Sequence, residues 1–222
     1  MSARDRILGR LKKSPATIGL ELPDVLQWSA SHQRHENTAQ RVNRLRDALE
    51  ASHAEVYLTT AENWPSLVAE IVAAKGIGRL LVGPNTPISQ TLAHANQVPL
   101  LHYDKPIEAW QKYLFEQVEA SLTQAKSAIA ETGTLILWPD ASEPRLMSLV
   151  PPIHMVLLDA AAIHADFHAA MLAEDWQHSL PTNALLISGP SKTADIQQTL
   201  AYGAHGPREL IVLIVQAEGS TP

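Results

Sequence analysis

The run Leu210-Ile211-Val212-Leu213-Ile214-Val215 constrains the fold more than any other stretch of the chain. It has no polar face, so the natural reading is a strand buried on both sides, with a packed layer above and another below. Shorter strand candidates are spaced ahead of it: Glu55 to Leu58, Arg79 to Val82, Leu100 with Leu101, Thr134 to Trp138, Ile153 to Leu158 and Leu185 to Ser188. Between them lie segments with helical spacing. From Asn37 onward Val42, Leu45, Ala48 and Leu49 recur on one face, and Trp64 to Lys75 repeats the pattern through Leu67, Val68, Ile71 and Val72. Strand, helix and strand at these intervals predict an α/β fold with a largely parallel sheet flanked by helices. Two more helices are expected. Ser121 followed three residues later by Gln124 matches a capping box that would open a helix through Ile129, and Ile163 to Leu172 is helical by pattern.

A chain of 222 residues suits one large domain, and at this size folding buries roughly 70% of the surface of the unfolded chain. Residues 1–35 read as a short helix and a connector, and residues 36–217 as a single domain. In the first segment Ile7, Leu8 and Leu11 form an apolar stripe among Arg4, Arg6, Arg10, Lys12 and Lys13. The stripe suits a docking arm for a partner or an anionic surface; the plainer alternative is a peripheral helix packed on its own domain. No apolar run approaches the roughly 18 residues of a spanning helix, and no signal core precedes a cleavage site. The chain is therefore expected to remain in the cytoplasm.

Composition narrows the chemistry. There is no cysteine, so the chain cannot hold an ordinary iron–sulfur cluster, a thiolate-bound zinc or a covalent cysteine intermediate. A redox role would draw its electron carrier from another chain. The net charge of −6 argues against a general nucleic-acid binder.

The strongest local constellation is Ser188-Gly189-Pro190-Ser191-Lys192-Thr193-Ala194-Asp195. A strand ends, a glycine permits a tight turn and small hydroxyl residues lead into what reads as a helix, a geometry that leaves backbone N–H groups for an anion. Lys192 would add a mobile positive charge; the alternative is simple helix capping by Ser191 or Thr193. The segment Gly203-Ala204-His205-Gly206-Pro207 follows at once, with His205 placed to act as a base, an anion ligand or a hydrogen-bonding strut. Both segments adjoin strand ends, so Ser191, Thr193, Asp195 and His205 are expected to line one small-anion site, with Asp195 orienting Thr193 or His205. Glu131, at an expected helix-to-strand junction before Thr132, Gly133 and Thr134, would point a carboxylate toward a cleft, and His154 is a further candidate.

Other motifs fail. His164 and His168 have the spacing of two ligands on a helix, but Ala165 stands where a metalloprotease glutamate would be, so no metal site is expected. Gly76-Ile77-Gly78 precedes its strand instead of following it. Gly83-Pro84-Asn85-Thr86 is a weaker strand-end ligand loop.

Taken in order, Ile129-Ala130-Glu131-Thr132-Gly133-Thr134, His154, Ser188 to Ile196 and Gly203 to Pro207 resemble the LUD domain, and more narrowly the lactate utilisation protein C or YkgG family. The resemblance is strongest from Glu116 to Val215. It implies a fold similar to the sugar-phosphate isomerase and coenzyme A transferase class. It also implies a part in oxidising L-lactate to pyruvate beside iron–sulfur partner proteins, this chain carrying no cofactor of its own. Two roles follow: an accessory or ligand-binding subunit, or a stand-alone enzyme using Glu131 or His205 on a small carboxylate, phosphate or thioester.

Overall fold

The computed structural model describes residues 3–13, 24, 27, 28, 31, 34–194, 200–203 and 205–217. The chain divides into two compact units, Met1–Arg34 and His35–Pro222. In the first, helix α1 (Ala3–Lys13) has Asp5 in its first turn and Arg10, Lys12 and Lys13 in its last. That charge order complements the helix dipole. Ile7, Leu8 and Leu11 on it are 60%, 42% and 65% exposed, so its apolar stripe is uncovered.

The second unit opens with α2 (Thr38–Ala51), started by a reciprocal capping box between Asn37 and Gln40. Then follow β1 (Glu55–Thr60), α3 (Trp64–Ala74), β2 (Leu80–Val82), α4 (Pro87–Ala95), β3 (Leu100–His102) and α5 (Ile107–Gln117). Next come β4 (Ala120–Gln124), β5 (Ser127–Ile129), β6 (Thr134–Leu137), α6 (Leu146–Leu149), β7 (Ile153–Asp159) and β8 (Ile163–His164). The unit closes with α7 (Phe167–Ala173), α8 (Trp176–Ser179), β9 (Leu185–Ile187), β10 (Lys192–Ala194), β11 (Leu200–Tyr202) and β12 (Glu209–Gln216).

Six strands form one sheet in the order β1-β12-β7-β4-β2-β3, and every pairing in it is parallel. The apolar run of β12 lies between β1 and β7, where strand alternation sends its residues to two cores. Ile211 and Leu213 join Met155 and Leu157 of β7 against Val68, Ile71 and Val72 of α3 and Ile88 and Leu92 of α4. Leu210, Val212 and Ile214 join Val156 and Leu158 on the opposite face, against Val42, Leu45 and Leu49 of α2. That second face is also covered by a small sheet in the order β8-β5-β6-β9, through Ala128 and Leu135. The expected parallel α/β architecture is therefore present, with a second, smaller sheet added to one side.

Three local expectations are corrected. Ser121 to Ile129 is no helix: it is β4, which enters the main sheet, and β5, which enters the small one. The Ser121 hydroxyl does not cap a helix but donates to the Met147 carbonyl, and Thr123 pairs with His154. Ile163 to Leu172 is likewise split, since β8 ends at His164 and Asp166 caps the new helix α7 by accepting from the Ala169 N–H. His164 and His168 thus sit on different elements, and the premise of two ligands on one helix fails. Last, Lys192 starts a hairpin strand, β10, paired antiparallel with β11, where a helix was expected.

Because the main sheet is parallel, the carboxyl ends of all its strands lie along one edge. The chain moves outward from β2 to β3, then returns to the other side of β2 for β4, β7 and β12. The direction of winding reverses between β2 and β4, which is where open α/β sheets leave a ligand crevice.

Candidate ligand-binding site

The two glycine-bearing segments read from the sequence do meet. The Ser191 N–H donates to the Pro207 carbonyl at 2.7 Å, and the Gly203 N–H donates to the Ser191 carbonyl at 3.0 Å. Gly206 packs so closely that a Cβ there would stand 3.3 Å from that of Ser191. The contact is made by backbone, however, and not at a helix terminus. Lys192 to Ala194 belong to the β10–β11 ladder. Neither segment reaches the carboxyl edge of the main sheet: Ser188 and Gly189 follow β9 of the small sheet, and Gly203 to Pro207 enter the amino end of β12. Lys192 and His205 are exposed, and Pro190 is half-buried. The Thr193 side chain and all of Asp195 lie outside the described residues.

Glu131 sits at an exposed turn between β5 and β6, not at the end of a helix, and its N–H donates to the Ala165 carbonyl at 3.1 Å. The neighbouring hydroxyls form a row: Thr132 to Thr134 at 2.7 Å, then Thr134 to Ser188 at 2.8 Å. The row ties the β5–β6 turn to the end of β9. Gly133 has φ +62°, and a Cβ on it would stand 2.8 Å from the Cβ of Ala48 in α2, so the turn is pressed against that helix. Gly189 makes a similar approach to Ser52, with 3.0 Å left for a Cβ. Much of this motif set is explained by close packing between the small sheet and α2.

His154 is fully buried within β7, on the face shared with Val156 and Leu158. Its Nε2 lies 2.9 Å from the Thr123 hydroxyl, and its Nδ1 has no partner among the described residues. Burial pushes its pKa down to about 3, so the ring is neutral at ordinary pH. It is a core histidine that touches the candidate crevice only through Thr123.

That crevice lies at the β2–β4 switch point, beside the Gly83–Thr86 strand-end loop singled out in the sequence, and brings in Lys126, Asp140 and Glu143, which the sequence reading passed over. Gly83, after β2, is the close-approach position: a Cβ there would come within 2.3 Å of the Ser142 carbonyl and 3.0 Å of Glu143 Cγ. Its bare backbone lets the 140–143 loop fold across the sheet edge. The Asp140 carboxylate holds that loop, accepting from the Ser142 N–H and hydroxyl at 2.7 Å each and from the Glu143 N–H at 2.9 Å. These bonds, led by the Ser142 hydroxyl, hold its pKa below the ordinary carboxylate value. Glu143 is thereby set over the end of β4, where it accepts from the Gln124 N–H at 2.9 Å. Burial pushes its carboxyl up to about 7, helped by the Asp140 charge and opposed by the Gln124 N–H.

Across the crevice, Lys126 Nζ lies 5.1 Å from the ring centre of Trp138, a cation–π distance. The cavity encloses about 250 Å³ and is bordered by Thr86, Ile88, Gln124, Lys126, Trp138 and Glu143. A smaller space of about 10 Å³ continues inward to Thr123 and Ser148, room for about one water. A larger groove of about 850 Å³ runs beside edge strand β3 and α5. Its charged lining, including Arg79, Asp104, Lys105 and Glu108, is exposed, as are Gln124, Lys126 and Asp140 of the crevice; the crevice differs in holding the half-buried carboxyl of Glu143. A sequence cue for the crevice existed in Asp140-Ala141-Ser142-Glu143-Pro144, a loop composition just after a strand. The burial of Glu143 was not visible there.

This is an α/β protein of parallel-sheet class with its polar crevice at the sheet's switch point, and comparison with known proteins places it further. The LUD domain model matches residues 42–215, and the chain belongs to that family. An uncharacterised protein of Neisseria meningitidis serogroup B is 38% identical over all of this chain and 97% of its own length. A protein named lactate utilization protein C, from Macrococcus caseolyticus, is 25% identical over 77% of this chain and 76% of its own. A crystal structure of a DUF162 family protein from Deinococcus radiodurans shares the fold with a TM-score of 0.64, at 22% identity, covering 81% of this chain and 99% of that one. The resemblance read from the motifs is borne out.

Proposed function

We propose that this chain serves L-lactate utilisation as a cytoplasmic, ligand-binding subunit that works beside iron–sulfur proteins and carries no redox centre of its own. The observation that carries this reading is the LUD domain match over residues 42–215, joined to similarity with a protein named for lactate utilisation. Composition supports the division of labour. A cluster held by thiolates has no ligands in a chain without cysteine, so the electrons from lactate would pass to other chains. The accessory role is preferred to a stand-alone enzyme because Glu131 and His205 are both exposed, and neither borders the switch-point crevice.

The test is deletion of the gene in the source organism, followed by growth on L-lactate and on pyruvate as sole carbon source. The expected result is loss of growth on L-lactate alone, restored by the full chain. Affinity capture from L-lactate-grown cells should bring down cysteine-rich, iron-containing proteins. Normal growth of the deletion strain on L-lactate would overturn the reading.

A further inference from the structure

Helix α1 carries charge and apolar surface that the proposed role leaves unused. Asp5 is the only acid among its residues, against Arg4, Arg6, Arg10, Lys12 and Lys13. The chain as a whole carries −6, so this positive charge is local. At about 3.6 residues per turn, Ile7, Leu8 and Leu11 fall on one side of the helix. Arg10 and Lys12 then flank that stripe, and Arg6 and Lys13 lie on the far side. All three apolar residues are exposed, and the helix has no buried residue.

Three kinds of anionic partner can meet the cations, and the stripe separates them. A nucleic-acid backbone would neutralise charge but leave Ile7, Leu8 and Leu11 in water. A helix-binding groove on a protein takes anchors spread over i, i+3 or i+4 and i+7, typically with a large aromatic among them. Here the stripe is too short for that. Arg4 stands one turn before Leu8, Ser14 and Pro15 follow where the next anchor would fall, and the helix has no aromatic residue. An anionic bilayer demands no such shape match. Its acyl boundary takes the aliphatic side chains, while long cationic side chains beside them reach back to the phosphates.

We infer that α1 is a reversible anchor for an anionic lipid surface, lying in the membrane plane with Ile7, Leu8 and Leu11 inserted and Arg10 and Lys12 at the headgroups. No span is involved, because no described helix is long and apolar enough to cross a membrane. Three aliphatic side chains hold weakly alone, so insertion and charge are both required, and added salt loosens the contact.

The test sediments the full-length protein with large unilamellar vesicles, either of phosphatidylcholine alone or with a third of the lipid as phosphatidylglycerol. Saturable binding is expected only with phosphatidylglycerol, and it should weaken at least about tenfold between low and high KCl. Arg10→Gln with Lys12→Gln should weaken it about twentyfold, from about fivefold for each charge lost near the surface. Ile7→Gln with Leu11→Gln changes no charge, yet should weaken it at least about tenfold, while binding to heparin stays as in the wild type. The denaturation midpoint should move in neither variant, since α1 buries no residue. The inference is overturned if the wild-type protein does not sediment with the anionic vesicles, if phosphatidylcholine alone binds it equally, or if either double variant binds like the wild type. Unchanged vesicle binding by the Ile7→Gln, Leu11→Gln protein would reduce α1 to a general polyanion contact. Loss of heparin binding in that same protein would show that the substitutions disrupt the helix, and Ile7→Ala with Leu11→Ala, which keeps it, must then still weaken vesicle binding.

Discussion

At the residue scale, two desolvated titratable groups pull stability in opposite directions with pH. Glu143 has a carboxyl raised from 4.5 to about 7 in the folded state. Between those values the folded chain holds a proton the unfolded chain has released, so stability falls as pH rises through that window. His154 is lowered from 6.5 to about 3. Below about pH 6.5 the unfolded chain takes up a proton that the folded one refuses, so stability falls as pH falls. The two effects partly cancel between pH 4.5 and 6.5, and below that range only the histidine acts. A tenfold change in proton affinity is worth about 1.4 kcal/mol, so each shift amounts to on the order of 3–5 kcal/mol. Chemical denaturation at pH 5, 6.5 and 8 separates them. Glu143→Gln should raise stability at pH 8 and leave it nearly unchanged at pH 5, while His154→Gln should flatten the loss below pH 6. A Glu143→Gln protein no more stable at pH 8 than wild type would show that the carboxyl is not desolvated.

At the scale of elements, the turn between β5 and β6 shows how far a motif can be read and where it misleads. Gly133 resembles part of a ligand loop, yet its positive φ and its contact with Ala48 make it a packing residue. Gly133→Ala should cost about 1–3 kcal/mol through backbone strain and overpacking against α2, seen as a lower denaturation midpoint. Strands β7 and β12 were legible because burial on both faces left long apolar runs, broken in β7 only by His154. β4 was not. Ser121 and Thr123 look like helix-capping and surface residues, but both are buried and satisfied by partners 26 and 31 residues away. A local pattern carries no trace of such pairings. The strands β5 and β8 span only 3 and 2 residues, too short for a period to emerge, whereas β9 was read from its apolar run at Leu185 to Ser188. The site divides in the same way. That Ser191 and the Gly203–Pro207 segment meet was readable from neighbouring glycine turns, whereas the Glu143 crevice depends on which loop folds over Gly83, a tertiary fact.

At the scale of the whole molecule, the described cores begin at Val42: all four hydrophobic clusters are built from residues of the His35–Pro222 unit. The helix α1 contributes no buried residue to any of them, and its apolar residues stay exposed beside Arg6, Arg10, Lys12 and Lys13. Hydrophobic burial is the main source of folding free energy, so stability should reside almost entirely in the second unit. A chain lacking residues 1–34 should fold with a denaturation midpoint within a few degrees of the full chain. The same truncation bears on the exposed basic stripe. If α1 docks a partner, truncation should abolish capture of the iron-containing proteins while leaving the midpoint intact. A midpoint lowered by about 10 °C or more, which for a domain of this size corresponds to several kcal/mol, would instead show that the first unit is part of the folding core. Retained capture with an unchanged midpoint would move the partner surface onto the second unit, where Phe167, Leu172 and Leu180 also remain exposed.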